Sequence, residues 1–140
     1  MKFFVYGTLK TGECRESVFS SYCKSGDYTV KPARIRAELY DLGYYPAILE
    51  GNNIVRGEMV TIEDPEDYKV LLDRIDAIEG YSEHSDHNLY NRKKVTVFSD
   101  GEEHEAWAYF YANSNRLTEA DRMTEEEWTT CTKEYEGARG

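Results

Sequence analysis

The chain has 140 residues, 40% of them hydrophobic, and a formal net charge of −10. That length suits one domain with its own core. The acidic balance argues against nucleic acids and anionic membranes as partners, since both call for clustered Lys/Arg. No apolar stretch approaches a membrane span, and MKFFVYG holds too few apolar residues before its glycine to be a secretory signal. A single cytoplasmic domain over residues 1–140 is the expectation. The three cysteines, Cys14, Cys23 and Cys131, lack paired spacing and fit a reducing compartment.

In chain order, Lys2 to Tyr6 reads as a buried strand that stops abruptly on Gly7-Thr8. Residues 11 to 28 are mixed and polar, with Val18, Phe19 and Tyr22 at helical spacing. Val30 to Leu42 alternates through Ala33, Ile35, Ala37 and Leu39, a period-two strand. Ala47 to Leu49 is a brief extended piece. Glu50-Gly51-Asn52-Asn53 reads as a turn before a strand from Ile54 to Ile62. Asp64-Pro65-Glu66-Asp67 opens a helix: Asp64 can cap, Pro65 suits the first position, and two acids meet the positive helix end. That helix runs to about Glu79, with Gly80 placed to end it. A polar loop over 82–89 precedes strands at Tyr90–Phe98 and Glu105–Ala112, joined by Ser99-Asp100-Gly101. Thr124-Glu125-Glu126-Glu127 matches a capping box and predicts a helix over 125–136. Sequential strands with few intervening helices give an α+β protein, either a curled sheet or a small barrel of five or six strands flanked by helices.

The central helix carries its apolar residues at Tyr68, Leu71, Leu72, Ile75 and Ile78, one core-facing stripe. Glu79 falls on that same face, four residues after Ile75. Burial and the negative end of the helix both disfavour a charged carboxylate there. A shift of roughly two units brings a Glu from about 4.3 to near 6.5, suited to moving protons at neutral pH. The competing reading is a side chain that reaches solvent at a frayed helix end, and the pattern alone leaves both open.

Gly7 frees the backbone for positive φ and for close approach to a ligand. The N–H groups that follow can converge on an oxygen, as in a nest. Thr8 adds a hydroxyl and Lys10 a nearby positive charge. Neither GxGxxG nor GxxxxGK[ST] occurs, so a small acidic ligand suits the loop better than a nucleotide. An ordinary turn is the plainer alternative.

Six stretches in one order carry a resemblance: VYGTLK (5–10), LYDLGYYPAI (39–48), VRGE (55–58), LDRIDAIEGY (72–81), YNRKKVTV (90–97) and AWAYFY (106–111). Together they resemble the gamma-glutamylcyclotransferase-like family, and within it the gamma-glutamylamine cyclotransferase branch. Residues 113–140 lie beyond these motifs and read as a C-terminal extension. The resemblance implies a small mixed β-barrel flanked by helices. It implies that Tyr6-Gly7-Thr8-Leu9 holds the glutamyl end of a substrate through backbone N–H groups. It also implies that Glu79, in the family's Glu-Gly motif, is the catalytic acid/base. Such enzymes release an amine or amino acid from a gamma-glutamyl group and form 5-oxoproline, with no cofactor and no metal. The 82–89 loop is long for the family and bears on the leaving-group side. A non-catalytic binding or interaction module on the same fold is the alternative, and a hydrolase giving free glutamate a third.

Other residues carry weaker signals. Tyr45, Tyr109 and Tyr111 are candidate pocket walls. Tyr109 shares a strand face with Trp107 and Tyr111, opposite Ala108 and Phe110, and becomes a substrate contact if that face points into a barrel. Arg92 reads as a structural ion-pair partner. Cys14 has no nearby base to make it a nucleophile, and His84, Asp86 and His87 are too few and too closely spaced for a metal site.

Overall fold

A computed structural model describes residues 1–24 and 26–129. Five strands, β1 (Lys2–Val5), β2 (Tyr28–Asp41), β3 (Pro46–Ile62), β4 (Tyr90–Ser99) and β5 (Glu102–Tyr111), close into a barrel in the order β1–β3–β2–β4–β5. The ladders are antiparallel except β1–β5, whose parallel contact at Phe3 and Trp107 makes the barrel mixed. Closure removes the free edges that a five-stranded open sheet would expose. Two helices, α1 (Ser17–Tyr22) and α2 (Pro65–Glu79), pack outside. Among the described residues no helix is long and apolar enough to cross a membrane.

The strand alternation sorts the core into two layers. Phe4, Ile35, Leu39, Val55, Ala108 and Phe110 belong to a cluster without helix members, the barrel interior. Phe3, Val5, Val60 and Tyr109 point the other way and pack with Phe19 of α1 and Leu71 and Ile75 of α2. The predicted inward face of β2 is therefore the observed one. Gly57 of β3 sits where β1 passes so closely that a Cβ would lie 2.2 Å from the Val5 carbonyl oxygen.

Helix α2 is bounded as its sequence indicates. The Asp64 carboxylate accepts from the N–H groups of Glu66 and Asp67, and Pro65 opens the first turn. Gly80 takes the left-handed conformation (φ 65°, ψ 40°). Its N–H donates to the Ala77 carbonyl and the Tyr81 N–H to that of Asp76, the paired bonds of a Schellman end.

Two expectations fail. Residues 50–53 do not reverse the chain, and Pro46–Ile62 is one 17-residue strand. Both flanks of Gly51 pair with β2, so the turn-forming residues are absorbed as a bulge between the Arg36–Ile54 and Glu38–Leu49 pairs. Residues 125–129 are not helical, and the rest of the predicted 125–136 helix lies outside the described residues. The capping-box pattern there is overridden by tertiary contacts. The Arg56 N–H donates to the Glu126 carbonyl, and Trp128 is fully buried in the barrel interior. Two short 3₁₀ turns, Ser114–Arg116 and Glu119–Asp121, lead into this segment.

Candidate functional site

The Schellman end of α2 sets Glu79 on the last helical position, facing the loop that follows β1. Between them lies a cavity of about 160 Å³. Tyr6, Gly7, Thr8, Leu9, Glu79 and Tyr109, from three places far apart in sequence, all line it. Pro46, Ile78 and Tyr90 complete its inner wall, and Arg15, Tyr45 and Leu89 reach its opening.

Glu79 is half-buried rather than solvated. Burial raises its pKa to about 7, against a smaller opposing pull from the Arg15 charge. Among the described residues its carboxylate makes no hydrogen bond or ion pair. A carboxylate with this affinity for a proton is divided between its two forms at neutral pH, the condition for both taking and returning one.

The loop opposite is held from behind. The Gly7 carbonyl accepts from the Lys10 N–H, and the Thr8 carbonyl from the Arg15 N–H at 2.7 Å. Among the described residues no such bond engages the N–H groups of Gly7, Thr8 or Leu9, which leaves three donors beside the cavity. Gly7 is needed for a different reason from the one its sequence context indicates. It does not have positive φ. Instead, a Cβ there would lie 2.7 and 2.8 Å from Cγ and Cδ of Pro46, so only glycine lets the loop lie against the β2–β3 connection. Lys10 also departs from expectation. It is buried, and its Nζ donates to the Trp128 carbonyl, away from the cavity. The cation at the cavity is Arg15.

Three tyrosines form the floor. The Tyr6 hydroxyl donates to the Tyr109 carbonyl (2.5 Å), and that of Tyr90 to the Pro46 carbonyl (2.7 Å). Tyr109 donates to one oxygen of Asp76 (2.6 Å), whose other oxygen pairs with Arg92 (2.5 Å). Burial raises the pKa of all three phenols, and the bond to Asp76 adds to the effect at Tyr109, so they stay neutral donors. Tyr109 reaches the cavity although its face of β5 turns outward, under α2, and not into the barrel. The cavity is lined from both layers, by Phe4 and Tyr6 of the interior cluster and by Val5, Tyr90 and Tyr109 of the layer under the helices.

Arg92 is the ion-pair residue its sequence context indicates. It sits over Trp107 and Tyr81, with its Nε buried and without a hydrogen-bond partner among the described residues. Tyr45 lines the opening as expected, whereas Tyr111 packs edge-on against Tyr90 behind the wall. Cys14 is exposed, Cys23 is buried with its thiol 3.4 Å from Asp67, and Cys131 lies outside the described residues. His84, Asp86 and His87 are exposed on a loop organised by Asn88, whose side chain bonds Ser82, Ser85 and Asn91. Among the described residues no group of His, Cys, Asp or Glu could hold a metal ion. Arg15 and Tyr90 escaped the sequence reading. Arg15 stands in a stretch without periodicity, and Tyr90 is one tyrosine among 12.

A family model described as gamma-glutamyl cyclotransferase, AIG2-like, matches residues 3–130, and so extends past the six motifs into the segment bearing Trp128. A Vibrio cholerae protein, provisionally named a gamma-glutamylcyclotransferase, is 31% identical over 115 residues, 81% of this chain and 84% of its own length. A Methanocaldococcus jannaschii protein with the same provisional name is 31% identical over 114 residues, 79% of this chain and 84% of its own. The crystal structure of a mouse AIG2-like protein superposes with a TM-score of 0.66 at 19% identity, over 93% of this chain and 88% of that one. That likeness shows the fold alone.

Proposed function

This chain belongs to the AIG2-like gamma-glutamyl cyclotransferase family, and from that premise we propose that it releases an amine or amino acid from a gamma-glutamyl substrate, forming 5-oxoproline, with Glu79 as general acid/base. The observation that carries the reading is a carboxylate of pKa about 7 facing the loop donors of Gly7–Leu9 across one small cavity.

The chemistry closes on the substrate itself. The substrate's α-nitrogen, once deprotonated, attacks its own γ-carbonyl carbon. A C–N bond forms to give the five-membered lactam, and the γ C–N bond to the departing amine breaks. Two protons leave the α-ammonium nitrogen in all and two arrive on the departing nitrogen, so none is consumed and no water enters. Glu79 carries them between the two nitrogens, taking in its ionised form and giving in its protonated one. The N–H groups of Gly7, Thr8 and Leu9 hold the glutamyl end and meet the negative charge that develops on the carbonyl oxygen. The buried tyrosines keep the substrate folded on itself, which lowers the entropy cost of closure by an amount on the order of several kcal/mol.

The test is incubation with gamma-glutamyl amines and gamma-glutamyl amino acids, with 5-oxoproline read by mass spectrometry. Wild type is expected to form it and Glu79→Gln to lose at least a hundredfold in rate. Product at an undiminished rate in Glu79→Gln would remove that residue from the mechanism. Free glutamate in place of 5-oxoproline would mean hydrolysis, and binding without either product a ligand-binding module.

A further inference from the structure

The cavity is polarised between floor and opening. Tyr6, Tyr90 and Tyr109 are buried at the floor, whereas Arg15, Tyr45 and Leu89 are exposed at the rim. Two charged side chains line the space, Glu79 and Arg15. Arg56, Arg92 and Arg122 are held in ion pairs with Glu126, Asp76 and Glu38, whereas among the described residues Arg34 and Arg116 form none and do not line the cavity. Among the described residues the Arg15 guanidinium has no hydrogen bond and no ion pair. The chain nevertheless has 27 Asp and Glu residues against 17 Lys and Arg from which a partner could have come. Its backbone is fixed by the bond to the Thr8 carbonyl, so the side chain starts from a defined place beside the binding loop.

A guanidinium presents paired donors that match a carboxylate. If the loop N–H groups take the glutamyl end, the departing amine points to the rim, which is also its way out. We propose that Arg15 is a specificity-determining residue that binds a carboxylate on the departing amine, so that gamma-glutamyl amino acids are preferred over gamma-glutamyl alkylamines. The orientation of the substrate in this inference rests on the ring-closing reading above. Tyr45 and Leu89 flank the same opening and offer apolar surface to the side chain of the departing amino acid.

Gamma-glutamylalanine and gamma-glutamylethylamide differ only in that carboxylate and make the test direct. In wild type the kcat/KM ratio should favour gamma-glutamylalanine. In Arg15→Gln that ratio should fall by about tenfold or more, the worth of a charge-assisted bond, and Arg15→Lys should recover part of it. Equal losses on both substrates would overturn the proposal, because Arg15 would then serve the glutamyl end or Glu79. Titration calorimetry in a Glu79→Gln background reads the same ratio as Kd without turnover. If wild type forms no 5-oxoproline but the Kd ratio still collapses on loss of Arg15, the ring-closing reading falls and the carboxylate contact stands. If neither compound binds, both fall.

Discussion

At the scale of single residues, the proposed role of Glu79 couples activity to stability. Its folded pKa of about 7 lies above the ordinary 4.5 because burial penalises the charge. Between those two values the unfolded chain has released a proton that the folded chain keeps. Stability therefore falls as pH rises through this window and levels off above about 7. The full cost is about 3–4 kcal/mol, at about 1.4 kcal/mol per unit. Glu79→Gln cannot ionise, so urea unfolding should find it more stable than wild type at pH 8 and nearly equal at pH 4. A variant that keeps the wild-type slope between these pH values would place the titration elsewhere. Activity runs opposite to stability. In the proposed mechanism the base form of Glu79 takes the first proton, so kcat/KM should rise with pH to a limb near 7. Arg15→Gln should move that limb upward, because the Arg15 charge lowers the Glu79 pKa. An unmoved limb in the pH–rate profile would show the two groups to be uncoupled. Glu79 was legible in the sequence because the helical period makes a carboxylate on an apolar stripe conspicuous. Arg15 was not, because nothing periodic surrounds it and the fold alone brings it to the cavity.

At the scale of elements, what could be read in advance was whatever local chemistry determines. Asp64-Pro65 and Gly80 mark both ends of α2 to the residue, since capping is settled by the few atoms around each terminus. The alternation of β2 names its buried face for the same reason. The 50–53 segment misled, because its glycine and asparagines suit a turn, yet whether the chain reverses depends on which strand each flank pairs with. The direction of the Tyr109 face was open for a related reason. The grouping of its face was legible, but whether that face turned inward or outward depends on where α2 packs. Gly7 shows close approach deciding a residue identity. Gly7→Ala keeps an allowed φ and fails on space, since the Pro46 ring is stiff and already inside contact distance of the new methyl. We expect it to cost about 1–3 kcal/mol in denaturant unfolding and to raise KM, because the loop donors move with the backbone. Gly57→Ala should cost more, because there the obstacle is the Val5 main chain. Equal, small losses for both would mean that the β1–β3 crossing relaxes freely.

At the scale of the whole molecule, the described C-terminal segment acts as a strap that joins the barrel to the loop after β1. Met123 donates its N–H to Leu39, Glu126 accepts from the Arg56 N–H, and the Thr129 hydroxyl donates to Glu13. Trp128 is the anchor. Its indole is fully buried in the barrel interior, with Nε1 donating to Asp41 at 3.2 Å. Its carbonyl takes the buried Lys10 ammonium, one residue after Leu9 of the loop. Among the described residues Trp128 is the one buried member of the interior cluster from beyond β5, with the partly buried Met123 packed against that cluster. Trp128→Ala removes the largest fully buried side chain, and we expect a loss of about 3–5 kcal/mol in urea unfolding. The effect should also reach the site. Without the anchored carbonyl the Lys10 charge is buried with its partner displaced, a costly arrangement that the loop can escape only by moving. Amide exchange at Lys10 and Arg15, whose N–H groups bond the Gly7 and Thr8 carbonyls, should therefore quicken in Trp128→Ala beyond the change at β4, which does not touch the strap's Lys10 contact. Uniform acceleration across the barrel would instead make Trp128 a core residue alone, with no hold on the loop.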